Sequence, residues 1–244
     1  MKKSRLDKLL ITVGLAQSRE RAKALIMSGN VLVNRQPLDK PGALVSSDAH
    51  IEFKGEEIPY VSRGGLKLEA ALHGFHFDVH GLDCIDIGAS TGGFTDCLLQ
   101  PGARKVFAVD VGYGQLAWKL RQDPRVITIE RSNIRHLPDD ALPCPVDLAV
   151  IDVSFISLRI VVPAALRFLK KPPVIFALVK PQFEVGKGMV GKGGVVRDPR
   201  QQESVVRDLT DFFYTLELTC RNVMPSPILG PKGNREIMIL LGGS

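Results

Sequence analysis

The chain has few cysteines and none close together, no long apolar run and no repeat, and each absence narrows what it can be. Its four cysteines, Cys84, Cys97, Cys144 and Cys220, are scattered over 244 residues. No C-x-x-C pair exists to hold zinc, so they read as reduced packing residues of a cytoplasmic protein. No apolar stretch approaches the ~18 residues needed to span a bilayer, which predicts a soluble protein with no membrane partner. The start, Met1-Lys2-Lys3 ahead of Leu9 to Ala16, has the outline of a signal peptide. Asp7 and Lys8 interrupt it and no small-x-small cleavage site follows, so secretion by this route is not expected. Internal repeats and low-complexity tracts are missing too, which excludes solenoid and disordered-repeat architectures.

What is present is enough apolar material, 45% of residues, to bury a sizeable core. The net charge is +6. Most of that excess lies before residue 30, where Lys2, Lys3, Arg5, Lys8, Arg19, Arg21 and Lys23 face only Asp7 and Glu20. A localised basic face is the footprint of a polyanion-binding surface, although a plain solvated face has the same composition.

The chain reads as two segments. From Ser4, a candidate cap, Leu6, Leu9, Leu10 and Val13 recur at helical spacing and stop near Gly14. Ser18 then caps a second helix, with Ala22, Leu25 and Ile26 inward and Arg19 and Lys23 outward, ending at Gly29. Strands around Val31 to Val33 and Ile51 to Phe53 complete a small ααβ unit. Lys54 to Tyr60 is charged and rich in breakers, which places the boundary there and gives domains 1–58 and 59–244. Beyond it, strands at Cys84 to Ile87, Val106 to Val109, Val126 to Ile129, Leu148 to Ile151 and Val174 to Val179 alternate with helices from Gly65, Gly93 and Ile160. This predicts an α/β fold with a parallel sheet covered on both faces. After a helix from Pro199 to Thr215, strands near Cys220 to Val223 and Glu236 to Leu240 have no room for a crossover between them, so the last strand is expected to be antiparallel.

The segment Asp86-Ile-Gly-Ala-Ser-Thr-Gly-Gly-Phe94 reads as strand, glycine loop and helix start, a common nucleoside cradle. Ser90 occupies the position where a dinucleotide fingerprint needs glycine for close approach of a pyrophosphate. A nucleoside cofactor without phosphate, S-adenosylmethionine, suits the loop better. Asp110 ends the next strand and is placed to accept from ribose hydroxyls, and Asn133 follows the third strand near the expected adenine; both are also ordinary turn residues. Gly186 to Gly193 nearly spells a P-loop but ends in Gly193 where a Ser or Thr hydroxyl is required, so Lys187, Lys192 and Arg197 read instead as a basic loop able to meet RNA phosphates. His73, His76 and His80 have helical ligand spacing, but Gly74 and the interleaved Phe75, Phe77 and Val79 argue against one helix face, and no metal is expected.

Four further charges share one destination. Asp152 and Lys180 each follow a parallel strand and emerge at the edge that holds the cofactor loop. Lys67, in the helix before the first strand, and Glu236, at the opening of the last, can reach the same crevice from either side.

Two resemblances follow from these residues. Arg5-Leu6-Asp7, Ser18-Arg19, Ala22, Leu25-Ile26, Gly29, Val31, Val33-Asn34, Lys40-Pro41 and Asp48 resemble the S4 RNA-binding domain, which implies that Arg5, Lys8, Arg19 and Lys23 lie against folded RNA. Ser62-Arg63-Gly64-Gly65-Leu66-Lys67-Leu68, Asp86 to Phe94, Asp152-Val153-Ser154-Phe155-Ile156-Ser157-Leu158, Lys180-Pro181-Gln182-Phe183-Glu184 and Gly230-Pro231-Lys232-Gly233-Asn234-Arg235-Glu236 resemble the TlyA or hemolysin A family. These are ribosomal RNA 2′-O-methyltransferases that join an S4 domain to an FtsJ-like domain with a Rossmann-like sheet. The resemblance implies ribosomal RNA or ribosomal subunits as partner and Lys67, Asp152, Lys180 and Glu236 as a catalytic set. Asp86, Gly88, Ser90, Gly92, Gly93 and Asp110 become cofactor contacts, with Lys180 the favoured base. A non-catalytic RNA-binding assembly factor and a membrane-lysing protein are the competing readings.

Overall fold

A strand buried on both faces reads as a nearly continuous apolar run, and the runs at 148–151 and 174–179 follow that rule. The computed structural model describes residues 3–16, 19–27, 29, 31–53, 58–186, 188–191 and 193–243, with the side chains at 20, 21, 24 and 231 outside that set. Ser18, Lys187 and Lys192, and residues 54–57 of the expected linker, therefore lie outside the described residues. The chain divides into two compact units, Met1–Pro59 and Tyr60–Ser244.

The smaller unit contains β1 (Lys3–Arg5), α1 (Leu6–Thr12), α2 (Arg19–Met27), β2 (Val31–Val33), β3 (Gln36–Pro37), β4 (Leu44–Ser46) and β5 (Ile51–Phe53). β2 pairs antiparallel with both β3 and β5, and β1 pairs antiparallel with β4. Leu6, Leu9, Leu10, Ala22, Ile26, Val31, Val33 and Val45 form the core beneath the two helices. The expected cap at Ser4 is wrong: Ser4 sits in β1 opposite Val45, and α1 begins at Leu6 without a side-chain cap. Carbonyls of a neighbouring loop do the cap's work, since Leu6 N donates to Ala43 O at 2.8 Å and Asp7 N to Pro41 O at 3.0 Å. Gly14, at φ +76°, ends this helix in a conformation that L side chains avoid.

The larger unit alternates α3 (Gly64–Gly74), β6 (Asp83–Ile87), α4 (Gly93–Leu99), β7 (Lys105–Val109), α5 (Trp118–Arg121), β8 (Val126–Ile129), β9 (Leu148–Ile151), α6 (Leu158–Leu166), β10 (Val174–Val179), α7 (Pro181–Glu184), α8 (Pro199–Tyr214), β11 (Leu218–Pro225) and β12 (Ile237–Gly243). Among the described residues these strands make one sheet in the order β11-β12-β10-β9-β6-β7-β8. β6 to β10 pair in parallel, and β12 runs antiparallel to both β10 and β11. Alternate residues of each strand enter opposite cores. Ile85, Phe107, Ala149, Ile151, Ile175 and Ile239 pack with α6 and α8, whereas Cys84, Val106, Leu148, Phe176 and Met238 pack with α3 and α4. Strand order reverses between β6 and β9, and in such sheets the crevice at the carboxyl ends of the reversing strands is the binding site.

Three smaller expectations are corrected. α3 begins at Gly64, one residue ahead of the expected Gly65, and runs through His73 to Gly74, with Leu72 and Phe75 packed in the sheet core. Cys144 is exposed rather than a packing residue, unlike Cys84 and Cys97. The last strand begins at Ile237, one residue after Glu236.

Phe176 is fully buried and meets Phe77 edge-on at 5.2 Å and Phe75 at 5.8 Å between ring centroids. Truncation leaves a cavity that this aromatic cluster cannot close. Phe176→Ala is expected to cost about 3–5 kcal/mol, read as a lowered urea midpoint by far-UV circular dichroism.

Candidate active site

Three strand ends deliver the site. After β6 the chain turns through Gly88 at φ +88°, where a Cβ would stand 2.5 Å from the Asp152 carbonyl oxygen, so only glycine lets the β6 and β9 ends approach. Ser90 is held at φ +49°. Its N–H donates to Asp110 Oδ2 at 2.8 Å, while Gly112 N donates to Asp110 Oδ1 at 2.6 Å. Asp110 thus ties the loop after β6 to the loop after β7, and each oxygen retains capacity for a further donor.

Asp86, within β6, is completely buried. Thr95 Oγ1 donates to its Oδ2 at 2.6 Å, and Oδ1 has no partner. Burial, reinforced by the nearby Asp152 and Asp110 carboxylates and opposed by the Thr95 bond, pushes the Asp86 carboxyl up to about 7. Such a group is suited to a cation that arrives with a ligand.

The four charges resolve into two ion pairs. Lys67 Nζ donates to Glu236 Oε2 at 2.6 Å, with both residues buried. Lys180 Nζ lies 2.5 Å from Asp152 Oδ1 and donates to Ser154 Oγ at 3.0 Å. The Lys180–Asp152 contact is a charge contact rather than a hydrogen bond, because Oδ1 finds no donor in bonding geometry. Lys67, Asp86, Gly88, Ser90, Gly93, Asp152 and Lys180 line one cavity of about 330 Å³, also walled by Arg63, Ser154 and Leu229. Glu236 stands behind Lys67, and Gly230 leaves it room, since a Cβ there would meet Glu236 Oε1 at 2.1 Å.

Other expected residues sit elsewhere. Gly92, at φ +93°, enters α4 and packs on Leu116 and Leu120. Asn133 Oδ1 accepts from Arg135 N at 3.1 Å and caps a short 3-10 turn. Gly92, Asp110 and Asn133 are not among the residues lining the cavity. Arg197 is exposed, just ahead of α8. In the smaller unit Lys8 and Lys23 are exposed, whereas Arg5 and Arg19 both bind Asp7.

Sequence reasoning passed over Ser154, Arg63 and Phe155. Ser154 follows Asp152 by two residues, so the strand-end logic that chose Asp152 applies to it as well. Phe155 is 90% exposed, at φ +63°, with its ring 5.0 Å from that of Phe183. A bulky aromatic left in solvent in a strained conformation makes this a candidate functional position. Its segment is braced from below, where Glu184 accepts from Ser157 Oγ at 2.6 Å and Leu158 N at 2.8 Å.

Residues 60–243 match the model of the FtsJ-like methyltransferase family, and residues 4–51 match the S4 domain. The chain belongs to the FtsJ-like methyltransferase family. YqxC of Bacillus subtilis, named as an rRNA methyltransferase, is 50% identical over 98% of this chain and 86% of its own length. The 16S/23S rRNA (cytidine-2'-O)-methyltransferase TlyA of Mycobacterium tuberculosis is 46% identical over 98% and 90%. A solved structure of a hemolysin-named protein from Streptococcus thermophilus superposes with a TM-score of 0.79 at 44% identity, covering 100% of this chain and 90% of that one. This FtsJ-like enzyme carries an S4 domain at its N-terminal end, and among its described residues no helix is long and apolar enough to cross a membrane.

The buried Asp86 gives the ligand-free enzyme a distinct pH dependence. Its folded value of about 7 lies above the ordinary 3.8, so the native state binds a proton that the unfolded state has lost. Stability is therefore greatest below about pH 4 for this group and falls as pH rises to about 7. Asp86→Asn, which cannot titrate, is expected to remove that part of the slope, a difference on the order of a few kcal/mol between pH 5 and pH 8 in denaturant midpoints.

Proposed function

We propose that this enzyme methylates the 2′-hydroxyl of a cytidine ribose in ribosomal RNA, using S-adenosylmethionine, with Lys180 taking the hydroxyl proton. The observation that carries the reading is the pair of lysine–carboxylate contacts, Lys67 with Glu236 and Lys180 with Asp152, beside a glycine loop at one sheet edge. The names of the relatives support the substrate class. The competing readings, an inert assembly factor or a lytic protein, leave the buried charge set without a use.

The residues present fit the cofactor. The unpartnered Asp86 Oδ1 suits the cationic methionine end, and Gly88 and Gly93 keep side chains out of the loop. Asp110, fixed by two backbone donors, is the group for the ribose, and Asn133 stays the candidate near adenine. When bound, the cofactor supplies an electrophilic methyl group.

Lys180 does the proton chemistry. A ribose hydroxyl is a weak nucleophile until its proton leaves, and general-base help counts only when the base is held within hydrogen-bond reach. Ser154 Oγ and Asp152 fix Lys180 Nζ on two sides. Lys180 Nζ, after releasing a proton to solvent, accepts the 2′-hydroxyl proton, and Asp152 stabilises the ammonium that re-forms. Lys67 gives one donor to Glu236 and keeps its others for the ribose oxygens. Phe155, next to Ser154, offers a ring on which the target base can stack once it is unstacked from its neighbours. Arg5, Lys8, Arg19 and Lys23, with Lys187, Lys192 and Arg197, supply the positive charge that meets RNA phosphates.

Two measurements test this assignment. Lys180→Ala is expected to lower methyl transfer to unmodified ribosomal RNA by at least about 100-fold, in a tritium assay, with cofactor affinity kept. Normal transfer by a folded, cofactor-binding variant would remove Lys180 from the role of base. Phe155→Ala is expected to weaken the productive RNA complex by about 1–3 kcal/mol, seen in kcat/KM for RNA, and to leave cofactor affinity unchanged.

A further inference from the structure

The basic face of the smaller unit contains one acidic side chain whose placement runs against its surroundings. Asp7 lies in the first turn of α1 and is completely buried, beneath residues otherwise read as meeting a polyanion. Its carboxylate does not serve as a helix cap. Instead Oδ1 accepts from Arg5 Nε at 3.0 Å, and Oδ2 accepts from Arg5 Nη2 at 2.9 Å and from Arg19 Nε at 3.2 Å. One carboxylate thus gathers two guanidinium groups from two different elements, the end of β1 and the start of α2. Both arginines remain open to solvent, with side chains 41% and 48% exposed.

The geometry divides each guanidinium into an inner and an outer edge. Arg5 turns its Nε and Nη2 edge toward Asp7, which leaves Nη1 facing away. Arg19 gives Asp7 only Nε, so its terminal nitrogens remain for other acceptors. A planar guanidinium whose rear edge is fixed presents its front edge in one orientation, and little rotamer entropy is lost when it then meets a phosphate. Two such groups bound to one carboxylate repel each other less than they would alone, so the pair persists before the ligand arrives. Asp7 itself is held well below the usual carboxylate range, chiefly by the Arg5 hydrogen bonds, and stays ionised at any working pH. The loop that replaces the α1 cap reinforces the arrangement: Asp7 N donates to Pro41 O, and Gly42 lies beside Arg5, where a Cβ would stand 3.5 Å from Nη1.

We propose that Asp7 is a positioning residue for RNA binding, a buried carboxylate that orients Arg5 and Arg19 as a paired phosphate clamp. The inference rests on the reading that this face binds ribosomal RNA. It makes a prediction opposite in sign to that of net charge. If charge alone counted, neutralising an acid on a basic face would tighten RNA binding. If orientation counts, the same change loosens it.

The test uses the full-length enzyme and ribosomal subunits from a strain lacking it. Asp7→Asn is expected to weaken subunit binding roughly tenfold. The KM for subunits should rise and kcat should hold, because the catalytic cavity is untouched. The Arg5→Lys, Arg19→Lys double variant keeps both charges and the carboxylate but loses the fork. It is expected to lose affinity to a similar degree with an unchanged slope of log affinity against log salt. It also carries the test if Asp7→Asn unfolds the small unit, as judged by limited proteolysis. Unchanged or tighter binding by a folded Asp7→Asn chain, or full affinity in the lysine pair, would overturn the positioning role. Arg5→Ala, Arg19→Ala is the control: if it binds subunits as tightly as the parent, the RNA-binding reading of this face fails and the clamp falls with it.

Discussion

The buried ion pair between Lys67 and Glu236 closes the larger unit on itself. It joins the helix before the first strand of the sheet to the residue before its last strand, across 169 positions of sequence. A buried pair of this kind adds little net stability, since desolvation offsets most of the attraction, yet losing one partner strands the other charge at a cost of about 3–5 kcal/mol. Its effect is therefore specificity of arrangement. α3 and β12 are held where one end of the pair reaches the cavity and the other does not, and Gly230 is small because Glu236 needs the space.

The second pair, Lys180 with Asp152, is built differently. Both residues follow adjacent parallel strands, β10 and β9, so their proximity comes with the sheet. This explains why the two were legible in the sequence: a polar residue that ends a fully apolar run in a parallel sheet must surface at the carboxyl edge. Lys67 and Glu236 lack that guarantee. Their meeting depends on how α3 packs over β12, which no local pattern encodes, and the one-to-one pairing of lysines with carboxylates depends on the same packing.

Elsewhere the same division holds. β9 and β10 were legible because both faces are buried and the runs are apolar throughout, whereas β1, β3 and β4 span only two or three residues each and have no periodicity to read. Ser4 had the right chemistry for a cap, but backbone carbonyls from 41 and 43 reached the donors of α1 first. Asp7 looks like one acid among many basic residues, and nothing local marks it as the most buried charge among the described residues of its unit. Asn133 was correctly seen to follow β8, but its oxygen is already engaged by the turn it begins.

The two units use a common device at different depths. In the larger one, carboxylates pair with lysines at a cavity, where low dielectric makes each contact count and where, on the proposed function, the reacting hydroxyl has to be aligned closely. In the smaller one, Asp7 binds two arginines at the surface, where the proposed ligand is a strongly charged backbone and screening by salt weakens any single contact. A lysine suits the first task because its amine can shed and regain a proton, and an arginine suits the second because its charge is permanent and its fork matches phosphate geometry. On the proposed function, the cation in each unit thus matches whether the bound group is to be deprotonated or only held.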